Sequence, residues 1–366
     1  MGVYKLENKM TKVVVAMSGG VDSSVAAALL KQQGYDVTGM MLRLWSEPGL
    51  EDSNRCCTPD AMAQARRVAA RLDIPFYVID AKEVFHKTVV AYFLNGYANG
   101  QTPNPCLACN RQIRWEFLLN HALALGADFM STGHYVRKQV TPDGRQILMK
   151  GIDPAKDQSY VLHVLTQEKL ARALFPIGDY TKPEIRATAE SIGLSVAKRP
   201  DSQDLCFLAG SDYRGFLQRH GPGMLTAGNI VDRSGKIIGQ HTGLPNYTIG
   251  QRKGLGLTSP EPLYVLAKDA ATNSLIVGQA SELGLRELIA INVNWTGGII
   301  PNESFRAYVK TRYTAAPALA EVTPREGAGQ VAIKFDAPQR DLTPGQAAVF
   351  YDGDMVMGGG LIVNTR

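Results

Sequence analysis

The sequence predicts an α/β protein with a parallel sheet in its N-terminal part and a mostly-β remainder. From Thr11 to about Phe207, short apolar runs alternate with helical stretches, as in sheets covered by helices on both faces. After residues 219–223, glycine and proline become dense and the apolar runs shorten to strand length. We therefore expect an N-terminal domain at 1–210, a small mostly-β connecting domain at 211–280 and a C-terminal β-barrel at 281–366.

The apolar runs give the individual elements. The N-terminal strands are predicted at 13–17, 37–44, 76–79 and 129–132. Helices are predicted at 61–72, 113–125, 167–174 and 182–192, the last with Thr181 as its N-cap. Further strands are predicted at 230–231, 263–266, 274–277, 305–309, 331–333 and 347–351.

Composition restricts the class of protein. The chain has 366 residues, 45% hydrophobic and 20% charged, which is typical of a globular protein with two or three domains. No segment reaches the roughly 20 uninterrupted apolar residues of a membrane span, and residues 1–12 lack the apolar stretch of a secretory signal. We expect a cytoplasmic protein without a membrane partner. The net charge of +5 permits a nucleic-acid partner but does not require one.

Residues 17–24, Met-Ser-Gly-Gly-Val-Asp-Ser-Ser, connect the first strand to a helix rich in alanine and leucine. Gly19 and Gly20 let the backbone approach a ligand closely, while Ser18, Ser23 and the helix N-terminus offer donors to phosphate oxygens. No lysine follows the glycines, so the segment is not a Walker loop. An ordinary strand-to-helix turn with two glycines is the alternative.

The segment resembles the S-G-G-x-D-S signature of the PP-loop ATP pyrophosphatases. This resemblance implies a Rossmann-like PP-loop domain that binds ATP and transfers an adenylyl group. The residues implied for ATP binding are Ala16, Met17, Ser18, Gly19, Gly20, Val21, Asp22 and Ser23, with Leu42 and Gly133 at neighbouring strand ends. Mg²⁺ is expected because it neutralises the polyphosphate.

Five cysteines, an odd number with uneven spacing, argue against a secreted disulfide framework: Cys56, Cys57, Cys106, Cys109 and Cys206. Cys106 and Cys109 follow two prolines that hold the chain extended. A helix beginning near Arg111 would point its N-terminus at a thiol and favour the thiolate. Spacing alone does not bring Cys206 to the same place. The pair 56–57 is interpreted as two semi-buried thiols before a helix.

The chain resembles the tRNA-specific 2-thiouridylases nearly from end to end. The matching segments are 17–24, 102–110, 132–135, 156–160, 201–207, 250–256, 309–313 and 344–346. Several of them fall in the predicted β domains, which a shared ATP-binding fold alone would not explain. The resemblance implies ATP-dependent 2-thiolation of the wobble uridine of tRNA, with tRNA and a protein sulfur donor, either a persulfide carrier or a cysteine desulfurase, as partners.

The resemblance also implies the roles of two cysteines. Cys109, which precedes an Asn-Arg pair, corresponds to the first catalytic cysteine of the family and Cys206 to the second. ATP adenylylates the C2 oxygen of uracil, a donor loads Cys206 as a persulfide, and that sulfur attacks C2 and expels AMP. Cys109 then resolves the intermediate, which leaves a disulfide with Cys206.

Further residues are implied as contacts to tRNA. They are Asn104, Pro105, Cys106, His134, Lys156, Asp157, Gln158, Arg312, Tyr313 and Gln346. Taken singly, the charged ones also fit solvated clusters on a surface, and His134 also fits a structural imidazole.

Cys106 departs from the family, many of whose members carry aspartate at this position. Cys106, Cys109 and Cys206 form a three-thiolate set, so a [4Fe–4S] cluster with one open iron is an alternative, and a zinc site is another. A different PP-loop enzyme and a non-catalytic RNA-binding protein with a structural metal are the remaining alternatives.

Overall fold

The computed structural model describes residues 10–49, 58–200, 205–208, 212–325, 329–340 and 342–365. The Cys56–Cys57 pair, and the first four residues of the matching segment 201–207, lie outside these ranges.

The described strands follow the chain in this order: β1 Lys12–Ala16, β2 Asp36–Arg43, β3 Phe76–Asp80, β4 Phe129–Thr132, β5 Val136–Val140, β6 Gln146–Lys150, β7 Ala173–Leu174, β8 Gly228–Val231, β9 Ile237–His241, β10 Tyr264–Asp269, β11 Ser274–Gly278, β12 Leu285–Asn294, β13 Phe305–Lys310, β14 Ala318–Pro324, β15 Val331–Gln339, β16 Ala347–Asp352 and β17 Met355–Thr365. The α-helices are α1 Val21–Gln32, α2 Pro59–Arg71, α3 Lys82–Phe85, α4 Ala91–Ala98, α5 Pro105–Ala108, α6 Leu119–Ala124, α7 Ser159–Leu162, α8 Gln167–Ala171, α9 Lys182–Ser191 and α10 Tyr213–His220.

The N-terminal sheet confirms the predicted parallel architecture. Its strands are ordered β3-β2-β1-β4-β7, and every neighbouring pair is parallel. The inner strand β1 is apolar because helices cover both faces, and Val13, Val14 and Val15 are at most 2% exposed. Strand order reverses at β1, between β2 and β4, and such a switch point opens a crevice beyond the carboxyl ends of the strands.

Local signals determine where several helices begin. The Thr58 side chain accepts from the backbone N–H of Ala61 at the start of α2. Thr181 and Glu184 form a capping box at the start of α9, as the sequence predicted for Thr181. No helix in the described ranges is both long and apolar enough to cross a membrane.

Two longer helical runs contain π-helical segments. The first joins α3 and α4 through His86–Val90, and the second joins α5 and α6 through Cys109–Leu118. The second run begins at Pro105, with Asn104 as its N-cap, so the predicted helix start near Arg111 is wrong. Asparagine at the N-cap and proline at the first helical position start this helix earlier. Cys109 therefore lies inside the helical run and Cys106 in its first turn.

The C-terminal sheet closes into the predicted barrel, and its strands pair antiparallel. Its order is β12-β15-β14-β13-β16-β17, and β17 pairs back onto β12. Buried side chains of alternate positions, such as Ala307 and Val309 of β13, fill the interior. The connecting domain has a separate sheet, ordered β10-β11-β8-β9, with its own apolar core.

A hairpin of the N-terminal part extends the barrel sheet, which the sequence did not predict. β5 and β6 form this hairpin, and β6 pairs with β17 at Met149 and Met355. One apolar core therefore contains Trp115 of the N-terminal part together with Tyr351 of the barrel. The backbone N–H of Ala347 donates to the Tyr160 hydroxyl at 3.1 Å across the same junction. The two parts pack as a continuous unit.

Several other elements also differ from the sequence prediction. The helix predicted at 167–174 ends at Ala171, and Ala173–Leu174 joins the parallel sheet instead. Strands β9, β12, β14 and β17 were not predicted. β12, for example, carries polar residues among its apolar ones because one of its faces is outside the barrel.

A buried histidine at this junction should make stability depend on pH. His163 is 1% exposed, its Nδ1–H donates to the Tyr160 carbonyl at 2.7 Å, and Asn294 of the barrel donates to the His163 carbonyl. Burial lowers the pKa of His163 to about 4, so the folded protein keeps the ring neutral.

The unfolded chain takes up this proton below its ordinary pKa of about 6.5, whereas the folded protein does so only near 4. Stability contributed by His163 is therefore complete above pH 6.5 and decreases by about 3 kcal/mol as the pH falls towards 4. Urea unfolding at several pH values should show a shallower acid slope for His163→Gln than for the wild type. Equal slopes would contradict the prediction.

Candidate functional site

A cavity of about 190 Å³ lies at the carboxyl ends of β1, β2 and β4. The sequence-predicted residues that line it are Ala16, Met17, Ser18, Asp22, Ser23, Leu42, Cys109, Gly133, His134 and Gln158. Three further predicted residues, Gly19, Gly20 and Val21, belong to the same loop but do not line the cavity. The structure thus brings residues from five distant segments to one place.

The loop between β1 and α1 is tightly folded. Gly19 has a φ of +74°, and a Cβ there would lie 2.3 Å from the Ala61 carbonyl oxygen, so only glycine fits. The Ser18 N–H donates to the Ser23 hydroxyl at 3.2 Å. The Ser24 hydroxyl donates to the Gly20 carbonyl at 2.8 Å. This leaves the first turn of α1 facing the cavity, where backbone N–H groups and the helix dipole favour an anion.

The turn after β4 packs directly against the start of α1. A Cβ on Gly133 would lie 2.6 Å from the Ser23 backbone nitrogen and 2.8 Å from the Asp22 carbonyl carbon. Any side chain at this position would push the turn away from the loop. Gly133 is therefore required by a backbone-to-backbone contact that closes one wall of the cavity.

Lys182 is a residue beside this loop that the sequence analysis missed. Its ammonium donates to both carboxylate oxygens of Asp22, at 2.7 and 2.9 Å, and its side chain is 9% exposed. The Tyr135 hydroxyl donates to the same carboxylate at 2.7 Å. A lysine in the first turn of a helix is unfavourable because of the helix dipole. This unfavourable position was the sequence signal that could have identified Lys182.

His134 is held as a neutral ring. Arg114 lies 3.0 Å from its Nε2 and can only donate, so Nε2 accepts and Nδ1 carries the hydrogen towards the Thr132 hydroxyl at 2.7 Å. Burial, together with the nearby Arg114 guanidinium, lowers the pKa of His134 well below its ordinary range. His134 is therefore a hydrogen-bonding group with no charge at neutral pH.

Cys109 and Cys206 belong to one apolar cluster, which we call the aromatic core: Leu44, Ala81, Phe85, Val89, Val90, Phe93, Tyr97, Ala108, Cys109, Ile113, Phe207, Leu208, Phe216 and Leu217, with Cys206 packed at its edge. Cys109 is 8% exposed and also lines the cavity. Cys206 is partly exposed. The cluster brings the two cysteine segments together at the side of the cavity.

The metal-site alternatives are not supported. Cys106, Cys109 and Cys206 are all described, yet no three His, Cys, Asp or Glu side chains in the described ranges are placed to hold a metal ion. Cys106 is exposed at the start of the helical run, whereas Cys109 is turned into the aromatic core. The three-thiolate alternative therefore finds no support among the described residues, where Cys109 is buried and Cys106 is exposed.

Three residues predicted to contact tRNA lie next to the exposed Cys106 or contact the loop that precedes it: Asn104, Pro105 and Gln346. Asn104 caps the helix by accepting from the Cys106 N–H, and Pro105 is buried. The Gln346 side chain donates to the Thr102 carbonyl at 2.8 Å, which fixes this loop to the barrel.

The remaining charged or aromatic residues predicted to contact tRNA are Lys156, Asp157, Arg312 and Tyr313. Asp157 accepts from the backbone N–H groups of Gly151 and Ser159, and Lys156 lies in the adjacent turn. Arg312 donates to the Thr343 hydroxyl, and Tyr313 is 40% exposed. Asp157 and Arg312 thus each connect two segments of the protein.

Three family models match consecutive parts of the chain. They are described as a tRNA methyl transferase HUP domain at residues 11–210, a tRNA methyl transferase PRC-barrel domain at 214–279 and an aminomethyltransferase β-barrel domain at 285–362. Fold and site thus define a nucleotide-binding HUP-domain protein with two appended β domains.

Curated relatives identify the family. A tRNA-specific 2-thiouridylase of Geotalea uraniireducens is 48% identical over 98% of this chain and 97% of its own length. The enzyme of that name from Heliobacterium modesticaldum is 49% identical over 96% and 92%. The chain belongs to the tRNA-specific 2-thiouridylase family. A solved 4-thiouridine synthetase with RNA and bound ATP is similar at a TM-score of 0.36 and 16% identity, over 58% of this chain and 50% of that one.

The contact at Gly133 gives a prediction. Gly133→Ala places a methyl group against the Ser23 backbone, so we expect a loss of about 1–3 kcal/mol in stability and at least about tenfold weaker ATP binding. Calorimetric titration with ATP and thermal unfolding would measure both. Gly223→Ala is the matched control, since a Cβ there meets nothing within 4 Å. Unchanged ATP affinity in Gly133→Ala would show that this wall does not shape the ATP site.

Proposed function

We propose that this protein is an ATP-dependent tRNA-uridine 2-sulfurtransferase that replaces the C2 oxygen of the wobble uridine with sulfur. The observation that carries the proposal is the placement of Cys109. It lines the same cavity as Ser18 and Asp22 of the phosphate-binding loop and shares an apolar core with Cys206. A nucleotide cradle and two thiol-bearing segments therefore meet, as an exchange of oxygen for sulfur on an activated base requires.

ATP activates the base in the first half-reaction. The uracil C2 oxygen attacks the α-phosphorus, an adenylate forms and pyrophosphate leaves. The loop around Ser18 and Ser23 holds the departing phosphates, and the Lys182 ammonium neutralises the Asp22 carboxylate, which would otherwise repel them. Mg²⁺ bound to the ATP phosphates would neutralise their negative charge.

Sulfur transfer forms the second half-reaction. The terminal sulfur of a Cys206 persulfide attacks C2, and AMP departs with the former C2 oxygen. The Cys109 thiolate then attacks the Cys206 sulfur, which releases 2-thiouridine and leaves a Cys109–Cys206 disulfide. An external thiol reductant restores both thiols. The partly exposed position of Cys206 suits loading by a protein sulfur donor in the cytoplasm.

The tRNA lies across the N-terminal domain and the barrel in this proposal, with domain boundaries near residues 210 and 280. Asn104, Pro105 and Cys106 border the flipped base, because they form the start of the helical run that carries Cys109, where Cys106 is exposed. His134 and Gln158 border the same cavity. Lys156, Asp157, Arg312, Tyr313 and Gln346 contact the surrounding nucleotides or position the segments that do.

The two half-reactions can be separated with cysteine variants. Cys206→Ser and Cys109→Ser should release pyrophosphate from ATP and tRNA in a first turnover within about twofold of wild type, yet form no 2-thiouridine. Mass analysis of digested tRNA identifies the modified base and the exchanged atom. Cys106→Ser is the control. Cys106 forms no covalent intermediate in this mechanism, so the variant should retain turnover. Full thiolation by Cys206→Ser would overturn the mechanism.

A second prediction concerns Lys182. Lys182→Met removes the positive charge beside the loop, so we expect first-turnover pyrophosphate release to slow by about 10²-fold. The control is Lys31→Met, which removes a lysine whose ammonium contacts the Leu72 and Asp73 carbonyls away from the cavity. Pyrophosphate release by Lys182→Met at the rate of this control would contradict a role for Lys182 in phosphate binding.

A further inference from the structure

An ion pair outside the cavity connects its wall to the Cys206 segment. Glu47 lies shortly after β2 and is 4% exposed. Arg219 Nε donates to one carboxylate oxygen of Glu47 and Arg219 Nη2 to the other at 3.0 Å. His220 Nε2 lies 3.1 Å from the same carboxylate. The pair is bidentate, and its carboxylate is withdrawn from water, whereas the Arg219 side chain is 41% exposed.

Arg219, one partner of this pair, is connected to Cys206 through packed aromatic rings. Arg219 and His220 form the last turn of α10. Phe216 of the same helix contacts Phe207 with ring centroids 5.3 Å apart, and Phe207, which is 1% exposed, directly follows Cys206. A displacement of α10 would therefore displace the residue that anchors Cys206 in the aromatic core.

Glu47, the other partner of the pair, is connected through its own segment to the nucleotide cavity. Leu42 and Leu44, which precede Glu47 on the same extended segment, both line the cavity. Trp45 packs edge-on against the rings of Phe216 and His220, with centroids 6.3 and 5.8 Å away. The segment that ends β2 thus contacts ATP-site residues at one end and α10 at the other.

The mechanism above assigns no role to this ion pair. Apolar packing in its place would stabilise the fold equally well. Apolar residues of similar volume often serve better than buried ion pairs, whereas loss of one partner leaves an uncompensated charge. A bidentate guanidinium does, however, fix distance and orientation more closely than apolar packing.

We propose that Glu47 is a positioning residue for sulfur transfer: through Arg219 it holds α10, and with it Phe207 and Cys206, at a fixed distance from the cavity that contains Cys109. This inference rests on the proposed role of Cys206. Adenylylation needs only the loop, ATP and the base, so loss of the pair affects the second half-reaction and spares the first.

The test compares Glu47→Gln, which keeps the shape of the side chain, with Glu47→Asp and Arg219→Gln. Glu47→Gln and Arg219→Gln should lower the kcat for 2-thiouridine formation at least about tenfold, with first-turnover pyrophosphate release and tRNA affinity within about twofold of wild type. Glu47→Asp keeps the charge and should recover part of the loss. Disulfide formation between Cys109 and Cys206 under a mild oxidant should slow in parallel with thiolation.

Asp336→Asn is the matched control, because it breaks an Arg306–Asp336 pair on the barrel, far along the chain from either cysteine. It should change neither half-reaction. Wild-type thiolation by both Glu47→Gln and Arg219→Gln would overturn the inference. A loss of pyrophosphate release as large as the loss of thiolation would also overturn it, and so would failure of both variants to fold. Cys206→Ser in the same assay distinguishes failure of this inference from failure of the proposed mechanism. If Cys206→Ser forms 2-thiouridine normally, the proposed mechanism itself is wrong, and not only the role of the ion pair.

Discussion

The aromatic core is the constraint on which the rest of the site depends. It buries Phe207 next to Cys206 and contains Cys109, so two segments that are distant in the chain share one apolar interior. Burying large aromatic side chains is worth several kcal/mol, and their edge-to-face contacts add a preferred orientation. The position of each thiol is therefore set by neighbours that themselves have no reactive groups.

The nucleotide cavity depends on a different kind of contact. Its walls meet through backbone, where Gly133 lies against the start of α1 and Gly19 lies against the Ala61 carbonyl. Asp22 at the start of α1 is further held by Lys182 and Tyr135. These contacts join the parallel sheet to α9, so the glycine loop is supported from both sides.

The barrel is part of the same rigid arrangement. The β5–β6 hairpin extends its sheet, and Tyr160 and Tyr351 are buried at the junction. The Gln346 side chain reaches the loop that precedes Cys106. The loop before Cys106 and the barrel are thereby held at a distance that packing fixes.

The sequence by itself determined the parallel sheet, the glycine loop and the two later β domains, because apolar periodicity, turn residues and contiguous motifs are local properties of the chain. It misplaced the helix near Cys109, since a start at Arg111 ignored the stronger capping signal of Asn104 and Pro105. Only the tertiary structure decided that Lys182 meets Asp22, that Cys109 is buried while Cys106 is exposed, and that Glu47 meets Arg219. Such pairings depend on which surfaces of remote elements pack together, and that information is spread over the whole core.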